Sequence, residues 1–321
     1  MKKISSIITL LLLSISLYAE SYSVFYKGKL CGVIDEKRKV VIEPLYTYIE
    51  MTEDGYFCCE NINHEGPDSA DFFDKKFHKL LLLSNLWFFW PYSEHEWVIG
   101  RGGSKGNYEL LDLKTKKTTP IEIMSRENCP TYINNVALIL TYYDEIEKYG
   151  YRIENRNGKI IFSGISQADC EYSDGLIPVI TFDGRSGYLN ETGKMVIEVP
   201  LYEDYRMGGL RISPLLKYSF HEGVAFIQTE KDQWYLLDKK GNKKSLPPEY
   251  DFTEHKYSNG LTVVKDKSGK FGYMDKDFKL VIPCQFDSAR SFVGKYAAAV
   301  CQGKDVVVDA KGKIYFCEEF K

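Results

Sequence analysis

Eight Asp or Asn residues recur down the chain in one local setting: Asp35, Asp74, Asp112, Asn155, Asn190, Asp238, Asp275 and Asp309. Successive members lie 34 to 48 residues apart. Four positions after each stands Lys39, His78, Lys116, Lys159, Lys194, Asn242, Lys279 or Lys313. Three positions after, four of the eight carry glycine: Gly158, Gly193, Gly241 and Gly312. A unit this short cannot bury a hydrophobic face by itself, so the copies must stack and share a continuous core. This periodicity constrains the fold more than any other feature.

Each copy follows the same logic. A short β-type run precedes the anchor, such as Gly187-Tyr188-Leu189, Trp234-Tyr235-Leu236-Leu237 or Gly272-Tyr273-Met274. The anchor opens a turn in which an Asx side chain can bond its own backbone and a glycine tolerates positive φ. A second run follows, as in Val40-Val41-Ile42 or Leu280-Val281-Ile282. Two such runs across a turn predict a β-hairpin. A third run lies upstream behind a glycine, for example Gly260-Leu261-Thr262-Val263-Val264, and a proline such as Pro44 or Pro283 often closes the unit. The stretch Tyr142–Tyr151 has some helical character that stops at Gly150; elsewhere helix is nearly absent.

The clearest copy runs from Gly260 through Lys270-Phe271-Gly272-Tyr273-Met274-Asp275 and Leu280-Val281-Ile282-Pro283 to Phe286-Asp287. These residues resemble the WG repeat of bacterial proteins. The likeness covers nearly the whole chain after residue 19, is strongest over 172–316 and is degenerate over 47–145. The signature Trp is replaced by Phe271, Cys31 or Ser186, and Trp234 lacks the glycine that should follow it. The resemblance implies structural repeat positions, here Gly32, Asp35, Gly187, Gly193, Trp234, Asp238, Gly272, Tyr273, Asp275, Pro283, Asp309 and Gly312, and no catalytic residues.

The expected class is all-β: tandem β-hairpin repeats packed in a propeller-like array, with an open β-solenoid or superhelix as the alternative. The expected organisation is a signal peptide over 1–19 and one repeat domain over 20–321. Lys2 and Lys3, the apolar run Ile4–Leu17 and the small residue Ala19 describe a secretory leader. Its style is bacterial, which points to the periplasm or the cell exterior. Residues 1–19 hold two lysines and no acid, so their removal takes the formal charge from −3 to −5. That balance offers no electrostatic footprint for nucleic acid, and no later apolar run is long enough to span a membrane. The eight cysteines show no repeated spacing. They are read as small buried hydrophobes, with disulfides left open, and vicinal Cys58 and Cys59 should face opposite sides of a strand.

No metal, cofactor or catalytic constellation is legible. The five histidines share no ligand spacing and are read as scattered surface residues near turns. Gly100–Gly106 misses the phosphate-loop order and reads as a hairpin loop. Anchor acids present in every copy are turn residues, since catalysis needs no eightfold repetition. The candidate binding feature is aromatic: Trp87, Phe88, Phe89, Trp90 and Tyr92 place two of the four tryptophans in one short stretch. Insertions at 61–70 and 206–219 are further candidates. The functional expectation is a non-catalytic exported module that binds a protein or cell-envelope glycan. The alternative is a glycan-active hydrolase or lyase on a propeller scaffold.

Overall fold

The structure, a computed structural model, describes residues 22–321 apart from 52–54, 62–67, 94, 102–106, 122–131, 133–135, 169–171, 201–205, 208–209, 212–218 and 231–232. The predicted leader and most of the two insertions lie outside the described residues. The chain divides into two compact units, one formed by residues 1–122 with 263–321 and the other by 123–262.

The fold is all-β and propeller-like. Among the described residues, seven sheets follow one another along the chain with 3, 7, 6, 2, 3, 4 and 4 strands. Within each sheet the strands are ordered as in the sequence, so every connection is a local meander. Helix is confined, among the described residues, to single 3₁₀ turns at Asp144–Ile146 and Cys317–Glu319. The helical character expected around Tyr142–Tyr151 reduces to the first of these turns. Hairpin pairing of Tyr142 with Tyr149 and Thr141 with Gly150 takes up the remaining backbone.

All eight anchors form the turns expected of them. In seven, the side-chain oxygen accepts the backbone N–H groups two and four residues on; at Asp275 these are Asp277 (2.9 Å) and Lys279 (2.9 Å). Asp112 differs by accepting from Lys114 and Thr115. A further turn of the same geometry forms at Asp266, which accepts from Ser268 and Lys270. The conformation the glycines supply is present even where glycine is not. Arg38, Phe77, Lys116 and Phe278 all adopt positive φ at their turns.

Sheets do not map one to one onto copies. The seven-stranded sheet contains both Asp74 and Asp112, and the six-stranded sheet contains Asn155 and Asn190. The degenerate region therefore keeps the turn grammar while its copies join edge to edge. Both faces of these sheets are buried, as stacked sheets require. Cys58 packs with Phe72, Trp97 and Ile99, whereas Cys59 packs with Cys31, Phe57 and Phe73. The two vicinal thiols do face opposite ways. Among the described residues six cysteines are free, and Cys129 and Cys170 lie outside them. Burial pushes the Cys31 thiol up to about 11 and Cys317 up to about 12, which suppresses the reactive thiolate.

Within the first unit, the two ends of the repeat array meet. Phe25 and Ile34 of the first sheet share a core with Tyr296 and Val307 of the last and with Cys317 and Phe320 just beyond it. The Val40 N–H donates to the Lys321 carbonyl at 3.0 Å, and the Tyr296 N–H donates to Ser23 Oγ at 3.0 Å. The Arg38 guanidinium donates to the Tyr296 hydroxyl and lies 4.1 Å over the Tyr315 ring. A radial array brings its terminal sheets together in this way, whereas a linear stack keeps them apart.

A carboxylate device recurs at the tight turns. The Gly28 N–H donates to Asp305 Oδ2 (2.6 Å) and the Gly303 N–H to Asp287 Oδ2 (2.9 Å). In the second unit, the Gly223 N–H donates to Asp174 Oδ2 (2.5 Å) and the Gly260 N–H to Glu222 Oε2 (2.8 Å). Each acid satisfies a tight-turn amide that its own sheet cannot reach.

Candidate functional site

The repeat glycines explain where a site can form. In the copies anchored at Asp35, Asn190 and Asp275, the third strand bulges toward the second. At the Asp275 copy, Tyr273 pairs with Ile282 and Met274 with Leu280, leaving Val281 unpaired. The bulge carries the Ile282 carbonyl so close to Gly272 that an added Cβ would lie 2.6 Å from it. Ile42 and Ile197 press still closer on Gly32 and Gly187. Pro283 lies in the unpaired stretch between Ile282 and Phe286, where no amide donor is needed. Tyr273 is fully buried and donates its hydroxyl to the Arg290 carbonyl at 2.9 Å.

The copy anchored at Asp238 breaks this pattern. Tyr235 stands where the glycine would, and the register runs straight: Tyr235 with Ser245, Leu236 with Lys244 and Leu237 with Lys243. No carbonyl crosses the second strand there, so a large side chain fits. The third strand, Lys243–Ser245, is only three residues long. It is followed by Leu246 and two prolines, which cannot continue a ladder. The chain leaves the sheet, and a cleft of about 530 Å³ opens along Trp234. Its walls present Gln233, Trp234, Tyr235, Tyr250, Asp251 and His255, with Pro247 and Pro248 at one side.

His255 gives the cleft its floor. Its ring lies 4.9 Å from Trp234 and 5.5 Å, edge on, from Phe226. Phe226 is buried and also stacks on Tyr257 at 5.7 Å. Burial pulls the imidazole down to about 4 against the opposing pull of Asp251, so His255 is neutral at physiological pH. It adopts positive φ, 49°, which turns the chain back onto the aromatic cluster. Tyr235 donates its hydroxyl to Gln233 Oε1 at 2.7 Å, and Lys243 lies 5.9 Å over the Tyr235 ring.

The site thus differs from the one expected. His255 is no scattered surface residue but a largely buried wall of the cleft. The available signal was the departure at Trp234, a tryptophan followed by tyrosine, with Pro247-Pro248 soon after. Trp87, Phe88, Phe89, Trp90 and Tyr92 all lie on one strand, Lys79–Ser93, paired with Glu96–Arg101. Trp90 is exposed and Tyr92 half-buried; the side chains of Trp87, Phe88 and Phe89 lie outside the described residues. Among the described residues no cluster of three or more His, Cys, Asp or Glu is placed to hold a metal ion. No helix among them is long and apolar enough to cross a membrane.

A protein of stacked β-sheets joined by meanders, its terminal sheets meeting, belongs to the propeller-like class of repeat proteins. More particularly, two of its copies match the WG-containing repeat family, at residues 32–58 and 271–304. No curated protein matches the chain in sequence. Among solved structures, one described as a eukaryotic initiation factor aligns with a TM-score of 0.55 at 10% identity, covering 92% of this chain and 94% of that one. A β-propeller domain of the Trilobed protease from Pyrococcus furiosus aligns with a TM-score of 0.43 at 13% identity over 91% of each chain. BamB from Moraxella catarrhalis aligns with a TM-score of 0.45 at 12% identity, over 84% of this chain and 86% of its own. At 10% identity the likeness to the first of these concerns the fold alone.

Proposed function

We propose that the protein is a non-catalytic binding module, exported to the bacterial periplasm or cell exterior, whose ligand seat is the cleft at Trp234. The observation that carries this reading is the cleft itself. A concave aromatic site opens in the one copy where Trp is kept and its glycine lost, and its volume falls in the range of small-ligand sites, about 300–1,000 Å³. The ligand belongs to the cell envelope, a glycan or a protein. Two-carboxylate glycoside hydrolysis needs paired acids about 5–9.5 Å apart, and among the described residues lining the cleft Asp251 is the single carboxylate. That weighs against the hydrolase reading.

The test is retention of envelope extract on immobilised protein. Loss of the retained fraction with Trp234→Ala supports the reading. Glycan turnover by the purified protein, abolished by Asp251→Asn, would overturn it.

A further inference from the structure

Resting on the cleft as ligand seat, we infer that its occupant is a neutral saccharide, stacked on Trp234 and held through its hydroxyls by Gln233 and Asp251. Aromatic and polar groups alternate around the cleft. An aromatic face is electron-rich and attracts the polarised C–H edge of a sugar ring, while the hydroxyls on its rim need donors and acceptors. Gln233 offers both, and Asp251 accepts from two directions.

The charges around the cleft disfavour ionic ligands. Among the described residues Lys and Arg are absent from the lining, and its one carboxylate, Asp251, would oppose an anionic sugar or phosphate. A cationic ligand would meet one exposed carboxylate, and the Tyr235 ring already has Lys243 over it. The cleft volume leaves room for a short oligosaccharide rather than a single ring.

The experiment is isothermal titration of the full chain with chitotriose, cellotriose and maltotriose. Trigalacturonate serves as the anionic comparison and a proline-rich decapeptide as the peptide comparison. At least one neutral trisaccharide should bind, and trigalacturonate should bind at least tenfold more weakly. Trp234→Ala should weaken binding at least tenfold while Trp234→Tyr, which keeps an aromatic plate, retains most of it. Thermal melting of both variants separates a lost ligand contact from a lost fold. Asp251→Asn should weaken binding several-fold without changing the melting temperature. Binding of the decapeptide alone, with the same Trp234 dependence, would overturn the saccharide and leave the cleft standing as the ligand seat. Saccharide binding that ignores both Trp234 variants and Asp251→Asn would overturn both.

Discussion

The copies anchored at Asp275 and Asp238 differ at the glycine of their signature, Gly272 against Tyr235, and in the path of the third strand. In the first, Gly272 lets a bulged third strand lay its carbonyl against the second strand. That third strand continues for seven residues, Leu280–Phe286, and covers Tyr273 completely. In the second, Tyr235 replaces the glycine, the register is straight, and the third strand stops at Ser245. The glycine is thus a marker of backbone approach rather than of turn flexibility. Where it is missing and the third strand is short, a cleft opens beside the half-buried Trp234.

The largest effect should come from adding one methyl group to the closed copy. Gly272→Ala places a Cβ within 3 Å of three backbone atoms of residues 282–284, none of which can swing away as a flexible side chain would. A loss of about 3 kcal/mol is expected, at the upper end for overpacking. Gly241→Ala is the matched control in the open copy. Its φ is 86° with nothing within 4 Å of the added Cβ, so the cost is only that of left-handed backbone, about 1 kcal/mol. Denaturant unfolding of both variants measures the gap. Equal losses would mean that the bulge can retreat and the glycine is dispensable.

The open copy should also carry a pH signature. The His255 pKa is depressed from 6.5 to about 4, chiefly by burial, with Asp251 pulling the other way. As pH falls through 6.5 the unfolded chain takes up a proton that the folded chain refuses. Stability therefore drops between pH 6.5 and about 4 and stays lowered below that. Spread over the interval, the effect is about 3 kcal/mol at most. His255→Gln should remove this component while leaving the rest of the acid profile unchanged. Matching profiles for the two proteins would show that His255 is solvated.

Much of the fold was legible because turns are local. Eight anchors could be read from Asp or Asn with a polar residue four positions on, since in seven of them the Asx oxygen accepts backbone N–H groups two and four residues later. The copies at Asp74 and Asp112 follow the same physics without glycine, because Phe77 and Lys116 take up the positive φ themselves. What the sequence did not show depends on contacts between distant strands. The carboxylates of Asp174 and Glu222 reach glycine amides in the following copy, with nothing in their own turn to announce it. His255 looked like one more polar residue in a loop, and only its packing on Phe226 and Trp234 removes it from water. Bulges without glycine, at the Asp74 and Asn155 copies, show that the signature and the backbone path are separable.

That separability can be probed by restoring the signature to the open copy. Tyr235→Gly recreates Trp-Gly at 234–235 without recreating a bulge, because the third strand still ends at Ser245 and Pro247-Pro248. The variant loses the half-buried Tyr235 ring from the core around Leu237 and adds glycine entropy to a strand. A destabilisation of about 2 kcal/mol is expected by chemical denaturation. A gain in stability would mean that the strand can re-register and close over Trp234, and that the open cleft is a consequence of one side chain.

The smallest effect concerns the turn grammar that both copies share. Lys116 is exposed and holds φ at 59°, a conformation that costs an L-residue about 1–2 kcal/mol relative to glycine. Its N–H donates to the Asp112 carbonyl, a bond glycine would keep. Glycine also adds freedom to the unfolded chain, which offsets part of the relief. Lys116→Gly should therefore stabilise by about 0.5–1 kcal/mol, a rise of about 1–2 °C in a thermal melt. A fall instead would show that the Asp112 turn, the one anchor with a shifted hydrogen-bond pattern, holds its backbone by contacts of the lysine stem rather than by the Asx oxygen.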